Sequence, residues 1–453
     1  MPRRPTRRPR ATVGRGGRAP QRRVPWTPTG SSRQVSRSRW FHRSRTPASR
    51  KPNNFLLGSP NVIDLGGETD SPPLAEALVD LDAVAHNTRV LAALTSAELL
   101  AVVKADAFGH GFLPVARTAL AAGARWLGVT SRTEALALRV AGISAPVLSW
   151  LHAEDEDFAP VVAARIDLSA ASTGHLRGIA AGAARAGARA DVHLKVDTGL
   201  SRNGATDDDW PELVRLARHL EVAGRIRVRG IWSHLAGGEL AGDPRDRAAL
   251  RRFGRALASA RATGLSPDVV HMANSAGLVG LPQAHFDLVR VGIALYGSEP
   301  LPDRVAGLRP AMTLRSRVIL TKQVPAGTGI SYGHDYTAAT RTTLALVPIG
   351  YADGIPRATA GQAEVWIGGR RCPVAGRVTM DQIVVDVGDL PVRTGDEVLL
   401  FGCGDRGEPT AADWARWAGT NPHEIFTGIG ARVARRYLPV RSERHSERER
   451  VNV

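Results

Sequence analysis

The apolar run Leu99–Val103 ends on a lysine, Lys104, which leads into a small-residue turn and then Gly109-His110-Gly111. Burying an ammonium there is costly unless it is paired or used covalently. Lys104 therefore reads either as a solvated strand-end lysine or as a nucleophile. Other apolar runs end in the same way. HLKVDTGLSRNG carries Lys195, Asp197 and Arg202, and another run ends on Ser233-His234. HMANSAG brings His271, Asn274 and Ser275, and VRVGIALYG brings Arg290, Gly292, Ile293 and Tyr296. These groups could together hold an anion and work on a carbonyl: Ser275 offers a hydroxyl, and Gly292 lets backbone N–H groups approach closely.

The runs that must position them are Leu99–Val103, Trp126–Thr130, Pro146–Trp150, Ile166–Ser169, Val192–Val196, Val228–Ser233, Val269–Ala273 and Leu288–Gly292. Helical patterns separate them, such as Phe112, Val115, Ala116, Ala119 and Leu120 at i, i+3, i+4, i+7, i+8. Pro211 suits the first turn of a helix through Val222. Near-continuous apolar strands alternating with helices imply a parallel sheet covered on both faces. Eight such units in one stretch fit an α/β fold of the (β/α)8, TIM-type barrel, with an open doubly wound sheet as the alternative. Ahead of them, Leu78–Asp82 reads as a short strand, with Asp82 suited to cap the helix carrying Val84, Val90 and Leu91.

Past Pro310 the texture becomes short runs divided by Gly, Pro and Asp turns: Thr313–Val324, Thr342–Pro348, Glu364–Ile367, Arg371–Val374, Gln382–Val387 and Glu397–Phe401. They predict a mostly β domain, closed by a helix over Ala411–Ala418 and a strand near Ala431–Pro439. The expected organisation is an extension over 1–72, a barrel over 73–309, a β-rich domain over 310–441 and a frayed end over 442–453.

The net charge of +17 would suggest nucleic-acid binding if it covered a folded face. Sixteen Lys and Arg lie within residues 1–51, ahead of the first acid, Asp64, and removing them from +17 leaves +1. The basicity belongs to an Arg-rich, aperiodic extension that reads as disordered. Inert extension, targeting peptide and nucleic-acid arm remain open for it; the folded chain is not expected to bind nucleic acid. No apolar run reaches membrane-span length. Cys372 and Cys403 cannot build a disulfide framework, and no metal-type Cys/His spacing occurs, so no metal site and a reducing, cytoplasmic setting are expected.

In a barrel, the loops after the seventh and eighth strands often bind phosphate. A cofactor with a phosphate there and a carbonyl near Lys104 fits pyridoxal 5'-phosphate, although sugar-phosphate aldolases use the same parts. Seven ordered motifs narrow the choice: KADAFGHG, HLKVDTGLSR, HMANSA, VRVGIALYG, GISYG, IGYADG and GRVTMDQ. With them, the chain from about Leu74 to Pro439 closely resembles the alanine racemases, pyridoxal-phosphate enzymes of fold type III.

The resemblance implies interconversion of L- and D-alanine for peptidoglycan, or a broader or serine-directed racemase, in a homodimer with shared active sites. Lys104 would be the Schiff-base lysine and one catalytic base; Tyr332, from the partner subunit, would be the other, on the opposite face. Two opposed bases are what racemisation needs, one removing the α-proton and one returning it. His234 would orient Tyr332, and Arg290 would face the pyridine nitrogen. Arg202 would hold the ring oxygen and the substrate carboxylate. Lys195, carbamylated in some members, would position Arg202. Ser275, Gly292 and Ile293 would hold the phosphate. Tyr351 and Met380 would line the substrate pocket from the partner, with Asp381 supporting their loop.

Plainer readings stand beside these. His234 also reads as a core histidine, Arg290 as a barrel ion pair, and His271 as a partner of Arg290 or simple packing. Tyr296 reads as core, Asp335 and Asp353 as turn residues. Two positions depart from the family pattern: Phe108 and Ala431 stand where tyrosines are usual, which removes donors from the phosphate and predicts weaker cofactor retention.

Overall fold

The computed structural model describes residues 73–237, 243–301 and 307–440. The expectations for 1–72 and 442–453 lie outside the described residues.

The first strand, β1 (Ala75–Asp80), runs straight into a helix, Leu81–Ala93. Its cap is Asp80 and not Asp82: the Asp80 carboxylate accepts from the N–H groups of Asp82 and Ala83 at 2.8 and 3.1 Å. The expected cap was two residues late because the strand gives way to helix without a linking loop.

Eight parallel strands follow: β2 (Glu98–Val102), β3 (Trp126–Val129), β4 (Val147–Ser149), β5 (Asp167–Ala170), β6 (Ala190–Lys195), β7 (Ile226–Trp232), β8 (Val269–His271) and β9 (Leu288–Val291). From β2 to β8 each strand pairs with the next in sequence, and β9 pairs with β2. The seam between β8 and β9 carries backbone bonds from Asp287 N–H to Val270 O (3.0 Å) and Arg290 N–H to Ala273 O (3.1 Å). The sheet therefore closes into a barrel. A doubly wound sheet would reverse its strand order part-way, which this one does not do. Interiors such as Leu99–Ala101 and Val289 are fully buried, so the barrel is a packed core whose chemistry is left to the strand ends.

The C-terminal half is mostly β. Strand β10 (Met312–Arg317) lies between β1 and Glu397–Phe401, and β1 is flanked on its other side by the parallel strand Ala434–Leu438. The chain thus enters and leaves through one sheet. The predicted run Thr313–Val324 is in fact two strands in different sheets, since Leu320–Val324 pairs with Thr342–Val347 instead. Val318 and Ile319 turn the chain between them, a bend carrying neither Gly nor Pro to announce it.

Candidate active site

Lys104 lies just past β2 in a turn whose next four residues, Ala105 to Phe108, all take φ near +53°. Non-glycine residues reach that left-handed region at roughly 1–2 kcal/mol each. Surrounding bonds hold the turn there. Glu134 Oε1 accepts from Ala105 N–H (2.8 Å), and Asp106 accepts from Phe112 N–H (2.8 Å). His110, fully buried, bonds the carbonyls of Ala107 and Phe108, and burial pushes its pKa down to about 4. Arg435 donates to Gly109 O as well as to carbonyls of its own strand region, tying the turn to the β-rich half.

The Lys104 ammonium is pushed below its ordinary value, by burial first and then by Arg202. Arg202 is exposed and makes no hydrogen bond or ion pair with another described residue. Its guanidinium is free for a carboxylate. Lys195, at the end of β6, is buried with Nζ 4.1 Å above the Trp232 ring, and burial together with Arg290 and Arg202 lowers its pKa to about 7. Between about pH 7 and 10.5 the folded chain therefore holds a neutral Lys195 while the unfolded chain holds a charged one. The unfolded state binds the extra proton, so folding stability rises with pH across that window. In CO2-free buffer the thermal midpoint of the cofactor-free protein should climb from pH 7 to 9, and Lys195→Met should flatten much of the climb. A midpoint falling over that range would contradict the assignment.

On the far side, Arg290 is 4% exposed and has no carboxylate in contact among the described residues. It bonds His271 Nδ1 (2.9 Å), His234 Nδ1 (3.1 Å) and the carbonyls of Ser233 and Met272. Nε takes no part in these bonds and remains a donor for a ring nitrogen. Burial alone lowers its pKa only to about 9, so it stays a cation at neutral pH. His271 is thus a partner of Arg290 and not simple packing. Both His234 and His271 are held well below the usual imidazole range by burial and then by Arg290, which keeps them neutral.

At the third corner, Ser275 Oγ accepts from the N–H groups of Gly292 (3.0 Å) and Ala294 (3.4 Å), while the Ile293 N–H bonds no described residue. These donors and a hydroxyl suit a phosphate, and with Arg290 and Lys104 the residues present fit pyridoxal phosphate. Phe108 borders this corner, its Cζ 3.3 Å from where a Cβ on Gly292 would stand. A hydroxyl at Cζ would thus project beside the phosphate donors. Phe108→Tyr is expected to tighten pyridoxal phosphate binding by about fivefold, the worth of one hydrogen bond near 1 kcal/mol. Equal affinity in a titration of both proteins would sink the idea. Ala431 is exposed and offers no side-chain donor.

The residues expected from the β-rich half are open to solvent. Tyr332, Tyr351 and Met380 are 73%, 41% and 52% exposed. The Tyr332 side chain forms no hydrogen bond within the chain, to His234 or to any other described residue. Its turn is nonetheless fixed, by Ser331 Oγ on Arg377 O (3.0 Å) and by the Arg377–Asp335 ion pair. Arg432 bridges Asp353 (3.0 Å) and Asp381 (2.7 Å), clasping the Tyr351 and Met380 loops together, and the Met380 N–H bonds no described residue. Asp335 and Asp353 are, as read from the sequence, turn residues. Tyr296 is core, with its hydroxyl on Val102 O.

Two sequence profiles, described as the N-terminal and C-terminal domains of alanine racemase, match residues 79–300 and 311–437. The chain is 54% identical over 367 residues to the alanine racemase of Frankia casuarinae, covering 80% of this chain and 96% of that one. It belongs to the alanine racemase family. Alanine racemases are isomerases, and that of Salinispora arenicola is 50% identical over 364 residues, covering 80% of this chain and 98% of its own. Among solved structures, the enzyme of D-cycloserine-producing Streptomyces lavendulae superposes with a TM-score of 0.81 at 46% identity, over 83% of this chain and all of that one. The alanine racemase of Bartonella henselae, with covalently bound pyridoxal phosphate, superposes at 0.72 and 30% identity, over 81% of this chain and all of its own.

Sequence reading missed Glu134, Arg435, Asp167 and His193. The first two act on backbone, which leaves no pattern. The last two left a period-two signal, Asp167/Ser169 and His193/Lys195, that places polar side chains on the inner face of β5 and β6.

Proposed function

We propose that this chain works as a homodimer that interconverts L- and D-alanine with pyridoxal phosphate, using Lys104 of one subunit and Tyr332 of the other. One observation carries the reading: Lys104, Arg202 and Arg290 stand at the barrel mouth, while Tyr332, Tyr351 and Met380 stand exposed on the β-rich half of the same chain. A two-fold axis would bring the second set of one protomer over the first set of its partner.

When bound, the cofactor withdraws electrons from the substrate's α-carbon and so acidifies its proton. The chain's residues do the rest. Lys104, partly buried beside Arg202, loses its proton more readily than an ordinary lysine and can serve as covalent anchor and as base. Arg202 and the free Met380 N–H hold the substrate carboxylate. Neutral His234 accepts from Arg290 at Nδ1, so its Nε2 carries the hydrogen and donates to the Tyr332 oxygen, which favours the phenolate that a base requires. Arg290 donates to the pyridine nitrogen and, being a cation, keeps that nitrogen unprotonated. This moderates electron withdrawal and suppresses transamination. Ser275, Gly292 and Ile293 anchor the phosphate. With Cys372 and Cys403 both unpaired, the chain suits the reducing cytoplasm, where its D-alanine would feed peptidoglycan.

Incubation with each L-amino acid and pyridoxal phosphate in D2O tests the function. Alanine should racemise fastest, with α-deuterium in both enantiomers. Exchange without inversion, or faster turnover of serine, would count against it.

A further inference from the structure

A buried hydrogen-bonded chain leads away from the cofactor side of Arg290. Arg290 Nη1 meets His271 Nδ1 at 2.9 Å. His271 Nε2 meets His193 Nδ1 at 2.9 Å, and His193 Nε2 meets Asp167 Oδ2 at 3.0 Å. It crosses the barrel interior from β9 through β8 and β6 to β5. Asp167 is 1% exposed, and both imidazoles are fully buried. At its foot, Arg229 Nη1 bonds both Asp167 oxygens at 3.0 Å, with its guanidinium 4.4 Å over the Trp126 ring.

The fold makes room for this chain. The β6–β7 register slips between Val192 and His193, so that His193 faces Gly230. A Cβ at Gly230 would stand 2.2 Å from His193 Nδ1, so glycine is what admits the ring. Trp232 stacks on His271 at 5.3 Å with planes 11° apart, and edge-on contacts from Trp126 and His271 hold His193.

The protons can be placed by exclusion. A carboxylate only accepts, so His193 Nε2 carries a hydrogen. At the other end the Arg290 guanidinium only donates, so neutral His271 carries its hydrogen on Nε2 and donates it to His193 Nδ1. His271 Nδ1 is left as an acceptor, which is what a guanidinium requires. The opposite tautomer of His271 would set N–H against N–H. The arrangement matches the logic by which a buried aspartate fixes the tautomer of a catalytic histidine.

We propose that Asp167 and His193 are positioning residues. Through His271 they present a lone pair to Arg290, holding its guanidinium in the orientation that donates to the cofactor's pyridine nitrogen. Without them His271 samples both tautomers, Arg290 loses its Nη1 anchor, and its hold on the pyridine nitrogen loosens. The proposal rests on Arg290 being the contact to that nitrogen.

The test uses the full chain loaded with pyridoxal phosphate and labelled with 15N-histidine. In the wild type, His193 and His271 should each show one protonated and one unprotonated ring nitrogen, at Nε2 and Nδ1 respectively. Asp167→Asn should mix the tautomers of both rings and raise the ratio of abortive transamination to racemisation on the order of tenfold. Asp167→Glu, which keeps the carboxylate, should retain single tautomers and a near-wild-type ratio, separating charge from packing. Mixed tautomers in the wild type, or a protonated His271 Nδ1, overturn the relay without any variant. Single wild-type tautomers with a transamination ratio that Asp167→Asn leaves untouched overturn the proposal through its premise about Arg290.

Discussion

Tyr332→Phe is expected to lower racemisation in both directions by on the order of 10²- to 10⁴-fold, the worth of one positioned acid–base group. One activity should survive. With Lys104 intact, one enantiomer of alanine should still exchange its α-proton for solvent deuterium, and the other should not. Lys104→Ala should abolish both processes, since it removes an anchor and a base together. NMR of the α-proton in D2O reads both quantities. If Tyr332→Phe left exchange of both enantiomers intact, Tyr332 would not be the second base. The variant should fold normally, because the Tyr332 side chain is 73% exposed and its turn is held by Ser331, Arg377 and Asp335.

Gly109→Ala should cost a large part of the protein's stability and carry the damage into the cofactor site. Gly109 has φ of +77°, and a Cβ there would stand 2.4 Å from the backbone oxygen of Phe426. A backbone oxygen cannot swing aside as a side-chain tip can. The left-handed penalty and the overlap together cost on the order of 3 kcal/mol, a large part of a typical folding free energy. The damage should reach function, because Gly109 O is the acceptor through which Arg435 holds the turn carrying Lys104. The thermal midpoint should drop by several degrees and pyridoxal phosphate binding should weaken with it. A variant with wild-type midpoint and wild-type cofactor affinity would show that the turn tolerates a side chain.

The barrel was legible because its strands are short and apolar, divided by helical spacing, and because Lys104, Lys195, His234, Ser275 and Arg290 all fall near the C-terminal ends of its strands. Lys104, Lys195, His234, Ser275 and Arg290 could be placed on that ground. The left-handed turn was not legible: Ala105 to Phe108 contains no glycine, so nothing local announces positive φ, and the bonds that impose it come from Glu134 and Arg435, far along the chain. The bend at Val318–Ile319 was hidden for the same reason. Asp167 and His193 sat within runs read simply as strands, although their period-two spacing to Ser169 and Lys195 marks an inward polar face. Tyr332 is 73% exposed and makes no hydrogen bond to His234 within its own chain; in the proposed dimer it would meet Lys104 of a second chain.

That meeting is the central claim, and mixing two inactive proteins tests it. Lys104→Ala and Tyr332→Phe, co-expressed with different tags, should form heterodimers in which one site carries both lesions and the other carries neither. Random pairing places half of the protein in heterodimers with one intact site of two, so the mixture should recover about a quarter of wild-type activity. Recovery no greater than the sum of the two separate variants, with heterodimers demonstrably present, would contradict a site shared between subunits.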